Sequence, residues 1–229
     1  MRIPDGVARV WHYRWRVELE AADQFARLSE DLVTVHGTDS LSRMAAAAAH
    51  DEREHATYCE KIVRWADFDA PGPRPVSGAR LGPDHLSVRQ RALYACVSLS
   101  CVTESLSAAL LVSMQRRAKE PQVREVVHAI LEDEISHSRL GWAELARQAD
   151  AGSVGWLSAY LPGMIRGAVK GDVPPRVERN DGGASRDLST YGILPGPEAR
   201  AVMAQTLESV VFPGLRKFGV DTMLAEKFS

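Results

Sequence analysis

Cysteine is scarce: Cys59, Cys96 and Cys101 are the only three in 229 residues, with no CxxC spacing. That excludes a disulfide framework and a zinc ribbon. Charge of one sign is lacking too. A net charge of −2 without a basic stripe offers nothing to hold nucleic acid. Aromatics are only 7% of the chain, while alanine-rich runs favour helix. No run reaches the roughly 18 consecutive apolar residues of a membrane span, and the Met1 end carries no apolar signal core. The chain is therefore expected to be cytoplasmic. Its length is enough to bury a core, in one large domain or two small ones.

What is present is helical periodicity. Residues 1–9 read as an irregular arm. Over residues 10–35, Trp11, Trp15, Ala22, Phe25, Leu28 and Leu32 recur at helical spacing, and Glu18 falls inside that stripe. His36-Gly37-Thr38-Asp39 stops this helix, with Asp39 or Ser40 able to cap the next. The second helix, residues 41–65, has an inward row of Leu41, Ala45, Ala48, Glu52, His55, Cys59 and Ile62. Residues 69–86 are rich in proline and glycine and suit a crossover along two helices. Ser87 and Gln90 form a capping box that opens a third helix to about residue 119, with an inward row of Leu93, Val97, Cys101, Glu104, Ala108 and Leu111. Glu120-Pro121 starts a fourth, with Val123, Val127, Ile130, Glu134, His137 and Gly141 inward.

The chemistry sits in these rows. Asp51-Glu52-Arg53-Glu54-His55 and Asp133-Glu134-Ile135-Ser136-His137 are both Asp-Glu-x-x-His. On a helix, i and i+3 share a face, so each motif aims a carboxylate and an imidazole at one point. Glu18 and Glu104 each add a carboxylate from another helix; Glu104 is the only acid between Asp84 and Glu120. A charge on a buried stripe is costly unless it is paired or binds metal. Of the 7 histidines, three have glutamate at −3. The third, Glu125 with His128, lies on the opposite side of the fourth helix from Glu134 and reads as surface. Carboxylates and imidazoles without a thiolate-rich set suit iron or manganese. Cys101, Ser107 and Ala108 are small and would leave room for a pocket beside Glu104, or simply pack closely.

Residues 10–150 resemble the ferritin-like superfamily. The run ELEAADQFARL from Glu18 to Leu28, the two Asp-Glu-x-x-His motifs and the Pro/Gly crossover are similar to bacterial ferritin-like domain proteins of unassigned activity. The resemblance implies an all-α fold: a four-helix bundle with a long connection between helices 2 and 3, and metals between the helices. It implies Glu18, Glu52, His55, Glu104, Glu134 and His137 as ligands of two iron ions, with manganese or a mixed pair as alternatives. It also implies that each motif's aspartate serves the histidine of the other helix, pairing Asp51 with His137 and Asp133 with His55. A rubrerythrin would carry a four-cysteine domain and a further glutamate where Ser107 stands, and iron-storage ferritins end sooner after the bundle.

Residues 1–150 are thus expected to form the dimetal bundle and residues 151–229 a helical extension packed on it. Within the extension, residues 153–170 read as a helix broken at Pro162-Gly163, 171–186 as a polar loop, 188–194 as an apolar patch and 197–211 as a helix broken at Pro213-Gly214. The extension is read as a cover for the bundle's flank, or alternatively as the wall of a substrate pocket. The polar loop could act as a lid, with Arg176, Arg179 and Arg186 available to an anion. The expected activity is that of a di-iron oxidoreductase, an oxidase or monooxygenase that activates O2 as co-substrate to oxidise a small organic molecule. It would need an external electron donor or reductase but no nucleic acid or membrane, and a homodimer is compatible with it. Iron handling by a ferroxidase and a metal-stabilised scaffold are the alternatives.

Overall fold

The computed structural model describes residues 3–68, 70–74, 80–172 and 188–228, and among these it is all-helical, without a strand. The long helices are α1 (Asp5–His36), α2 (Ser40–Trp65), α3 (Val88–Arg117) and α4 (Pro121–Ala151). After a 3-10 turn (Gly155–Ala159), α5 spans Leu161–Asp172; α6 starts with Gly196–Thr206. Of the polar loop expected over residues 171–186, the first two residues instead end α5, and the rest of the expected lid, with Arg176, Arg179 and Arg186, lies outside the described residues.

Local signals set the boundaries. Asp39 accepts a bond from the Ser42 amide while Ser42 Oγ accepts from the Asp39 amide, each at 2.9 Å, a reciprocal cap on α2. Ser87 and Gln90 do the same for α3. Gly37 closes α1 at φ +75°, a left-handed conformation that costs glycine little. The expected N-terminal arm is instead helix from Asp5. Ile3, Val7 and Trp11 recur every four residues, and packing that stripe against Ile62, Val63 and Ile193 extends the helix.

Proline also fails to end α6. A π turn, Leu207–Val211, widens the hydrogen-bond ladder just before Pro213, and the helix continues through Phe212–Lys217. At Gly214 the absent side chain makes room for the Trp142 ring.

α1 packs on α2, α2 on α4, α4 on α3 and α3 back on α1. The centre of α3 is itself a π-helical stretch, Cys96–Thr103, and the Glu104 amide bonds five residues back to the Leu99 carbonyl. By length and composition α3 is apolar enough to cross a membrane, but 67% of its most apolar window is buried within the protein. Part of that burial comes from the C-terminal region. Leu157, Leu161, Ile165, Met203, Leu207, Val211 and Phe212 share a core with Leu93, Val97, Cys101 and Leu106 of α3. Residues 188–194 cover the other end, where the Lys119 and Glu120 amides bond to the Thr190 carbonyl and Tyr191 and Ile193 are buried beside α1.

The closest approach within this frame is at Gly141. A Cβ there would stand 2.6 Å from both the Cys96 carbonyl oxygen and Ser100 Cβ, so only glycine lets α4 lie against the π stretch. Gly141→Ala should lower stability by about 1–3 kcal/mol. Gly167→Ala, at an exposed helical position with nothing within 4 Å, should raise it by roughly 0.5–1 kcal/mol. Thermal unfolding followed by circular dichroism reads both; no loss in the first variant would show that the contact relaxes freely.

Candidate metal centre

Six chemistry-bearing side chains meet between the four long helices. Glu18 comes from α1, Glu52 and His55 from α2, Glu104 from the exit of the π stretch, Glu134 and His137 from α4, and none is more than 4% exposed. They form two groups that share Glu52: Glu52, Glu104, Glu134 and His137, and Glu18, Glu52 and His55. Within each group, one donor atom per residue lies within 4.8 Å of the others. A third cluster, His50, Asp51 and Glu54, is on the surface. The i,i+3 spacing accounts for the two Glu/His pairs. The register of Glu104 is set by the π stretch, in which Thr103 Oγ1 donates to the Ser98 carbonyl five residues back at 3.1 Å.

Glu52 is central. Its Oε2 is 3.2 Å from His55 Nδ1 and its Oε1 is 3.0 Å from His137 Nδ1, so its two oxygens face the two imidazoles. The opposite ring nitrogens are held crosswise. His55 Nε2 lies 3.1 Å from Asp133 and His137 Nε2 3.2 Å from Asp51, as the resemblance implied. Both aspartates are partly exposed, so they bind the rings from the solvent side and turn each Nδ1 toward the centre. Ser107 Oγ donates to Glu134 Oε1 at 3.0 Å. It therefore orients a carboxylate rather than opening a pocket. Cys101 packs in the core beside the Gly141 contact, and Ala108 is partly buried against another cluster. Glu125 and His128 are exposed, with His128 beside Glu132 and Gln115.

Crowding these groups out of water shifts several of their proton affinities. Burial, reinforced by the Glu52 and Glu134 charges and opposed by Arg14, pushes Glu18 up to about 8. Burial alone would lower both histidines. The carboxylates beside them outweigh it, raising His55 to about 9 through Glu52 and His137 to about 11 through Glu134 and Glu52. Glu134 is held down to about 2, because hydrogen bonds from Glu104 and His137 overcome the burial cost of its charge. Without metal, then, the imidazoles serve as counter-ions to the carboxylates. Even so, Glu52 Oε1, Glu134 Oε2 and His137 Nδ1 are buried without a partner in hydrogen-bond geometry. Oxygen and imidazole donors that face inward without a directed hydrogen bond fit a hard or borderline divalent cation.

Two participants have no place in the Asp-Glu-x-x-His pattern. Arg14 Nη2 donates to Glu18 Oε1 at 3.0 Å from one turn back on α1. Cys59, one turn beyond His55, is wholly buried, and burial together with the nearby Glu18 keeps its thiol well above its ordinary range. The i−4 and i+4 spacings were the available signals, but neither says which way a side chain turns. Another buried acid, Glu144, is unrelated to the centre. It is matched by His36 at 3.0 Å, Arg147 at 2.6 Å and Gln148 at 2.7 Å, a network that ties α4 to the ends of α1 and α2.

Compared with protein-family models, curated proteins and solved structures, the chain finds no match.

The raised pKa values predict how metal uptake depends on pH. At pH 7 the metal-free protein keeps protons on His55, His137 and Glu18, and ligation must displace them. Mn(II) loading should therefore release at least about three protons per chain, with one more from the Glu104 carboxyl that donates to Glu134, and apparent affinity should rise from pH 6 to pH 8. Calorimetry in buffers of different ionisation enthalpy counts the protons. Loading without proton release would contradict the protonation pattern.

Proposed function

We propose that this is a ferritin-like four-helix-bundle protein whose centre holds two divalent ions, iron or manganese or one of each, and that it is an O2-dependent oxidoreductase acting on a small organic molecule. The observation that carries the reading is the convergence of six buried donors from four helices on one space, three of whose atoms face inward without a directed hydrogen bond. Glu52, Glu104, Glu134 and His137 would hold one ion, and Glu18, Glu52 and His55 the other. When bound, such a pair supplies the electrons and Lewis acidity for dioxygen reduction coupled to substrate oxidation. The protein's own part is positional and protective. Glu52 presents one oxygen to each half. Asp51 and Asp133 fix the tautomer and tilt of His137 and His55. Ser107 holds one oxygen of Glu134, leaving Oε2 for the centre.

The C-terminal helices, packed over α3, keep water from that flank of the centre. Electrons would come from a separate donor. Iron handling is the second reading, favoured by the exposed His50 and Glu54 beside the half-buried Asp51 just outside His137, a place where an incoming ion could pause.

Anaerobic Fe(II) titration followed by O2 separates the readings. Saturation at about two irons per chain with a transient chromophore on oxygenation supports oxygenase chemistry. Continued uptake of many irons supports storage, and no uptake removes both. Glu104→Ala should cost at least one ion or weaken it by about tenfold or more, whereas Glu125→Ala should leave metal content unchanged. Full occupancy in the Glu104 variant would remove that residue from the centre. Tyr191→Ala tests the cover over residues 188–194. Because Tyr191 is buried in the core with Trp11 and Ile193, joint loss of metal and helicity would make the segment structural. Loss of substrate turnover with metal retained would make it part of a substrate site.

A further inference from the structure

Away from the metal centre, an open cavity of about 410 Å³ lies where α3 begins and α4 ends. The buried Leu93 and Val154 line it, together with the half-buried ring of Trp156. That ring is held edge-on against Tyr160, 5.9 Å between centres, and the Tyr160 hydroxyl lies 3.1 Å from His85 Nε2. An aromatic wall is therefore already in place. Among the described lining residues, Arg89 alone carries a charge. Its Nη1 donates to Gln148 Oε1 at 3.3 Å, and no carboxylate among the described residues pairs with it. Gln148 is buried and fixed in turn, its Nε2 donating to Glu144 Oε1 at 2.7 Å.

We propose that this cavity binds a small aromatic carboxylate, with the carboxylate on Arg89 and the ring against Trp156. With Nη1 engaged by Gln148, Nε and Nη2 remain as the edge of the guanidinium that takes a carboxylate through two parallel bonds. The helix dipoles do not set the sign of the ligand. The positive start of α3 and the negative end of α4 meet at this cavity and oppose each other. Arg89 sets it. An apolar wall with a few placed polar groups is also the usual make-up of a small-molecule site. Gln148 stands eleven residues beyond His137 on α4, about 16 Å along the helix. A ligand here is therefore out of reach of the metal centre, and the site is a second one that does not rest on the metal reading. Arg89, Gln148, Glu144 and His36 form one hydrogen-bonded chain, so an occupant on Arg89 is joined to the network that ties the ends of α1 and α4.

The test follows the Trp156 indole signal in proton–nitrogen correlation spectra of the full chain, assigned by its loss in Trp156→Phe. Phenylacetate should shift that signal saturably. Phenylacetamide has the ring without the charge and acetate the charge without the ring, and each should bind weaker by about tenfold or more. Arg89→Gln should weaken phenylacetate by about tenfold or more and leave phenylacetamide unchanged. No saturable shift with phenylacetate, equal affinity for the amide or for acetate, or unchanged phenylacetate binding in a folded Arg89→Gln protein would overturn the proposal. The comparison of the three ligands on the wild type decides the matter even if the variant does not fold. None of these readouts involves a metal, so failure here leaves the metal reading standing, and a chain that takes no metal leaves this site standing.

Discussion

Four carboxylates and two imidazoles packed against one another out of water are the constraint to which the rest of the molecule is fitted. An unpaired buried charge costs several kcal/mol, so such a cluster persists only if protons or cations balance it. Here the balance is partial. The imidazoles take up protons against Glu52 and Glu134, Glu104 gives a hydrogen bond to Glu134, and Glu18 leans on Arg14, yet three inward atoms that sit in ionic contact with one another make no directed hydrogen bond. A core evolved only for packing would hold apolar groups at these positions at lower cost. That imbalance favours a cation and is the physical ground for reading the site as a metal centre.

The surrounding frame supplies rigidity where the cluster needs it. Glu104 reaches the centre because α3 is underwound into a π stretch just before it, and that stretch is held by the close approach of Gly141 one turn beyond His137. The turns that carry Glu104 and His137 are thus locked by one backbone contact. Farther out, buried ionic networks pin the helix ends. Glu144 with His36 and Arg147 ties α4 to α1, and Asp31 with Arg80 and Arg91 ties α1 to the start of α3 and the residues before it. Both acids have hydrogen-bonded partners.

The C-terminal region belongs to the same physics. The side of α3 away from the centre is apolar enough to demand cover, and residues between Val154 and Ala168 and between Ala199 and Leu215 provide it through a shared core. Gly192 shows how closely residues 188–194 fit at the other end. It adopts φ +74°, and a Cβ there would lie 2.9 Å from the Met114 carbonyl oxygen. These additions close the flank and the end of the helix array that would otherwise admit water.

Whatever depends on one helix at a time was legible in the order of the residues. Hydrophobic period placed the four long helices, Asp39 and Ser87 marked where two of them begin, and i,i+3 spacing put Glu52 with His55 and Glu134 with His137, because helix geometry leaves those pairs no other arrangement. It also separated the exposed Glu125 and His128 from the buried pairs by angle alone. Tertiary structure decided what depends on a neighbour: the helix from Asp5, which exists because Ile3, Val7 and Trp11 find a partner surface; the π stretch that sets Glu104; and the turn of Arg14 and Ser107 toward Glu18 and Glu134. An α-helical register is written in local spacing. A departure from it, or the direction of a long side chain, is settled by the packing energy of residues far away in the chain, which no single stretch of sequence carries.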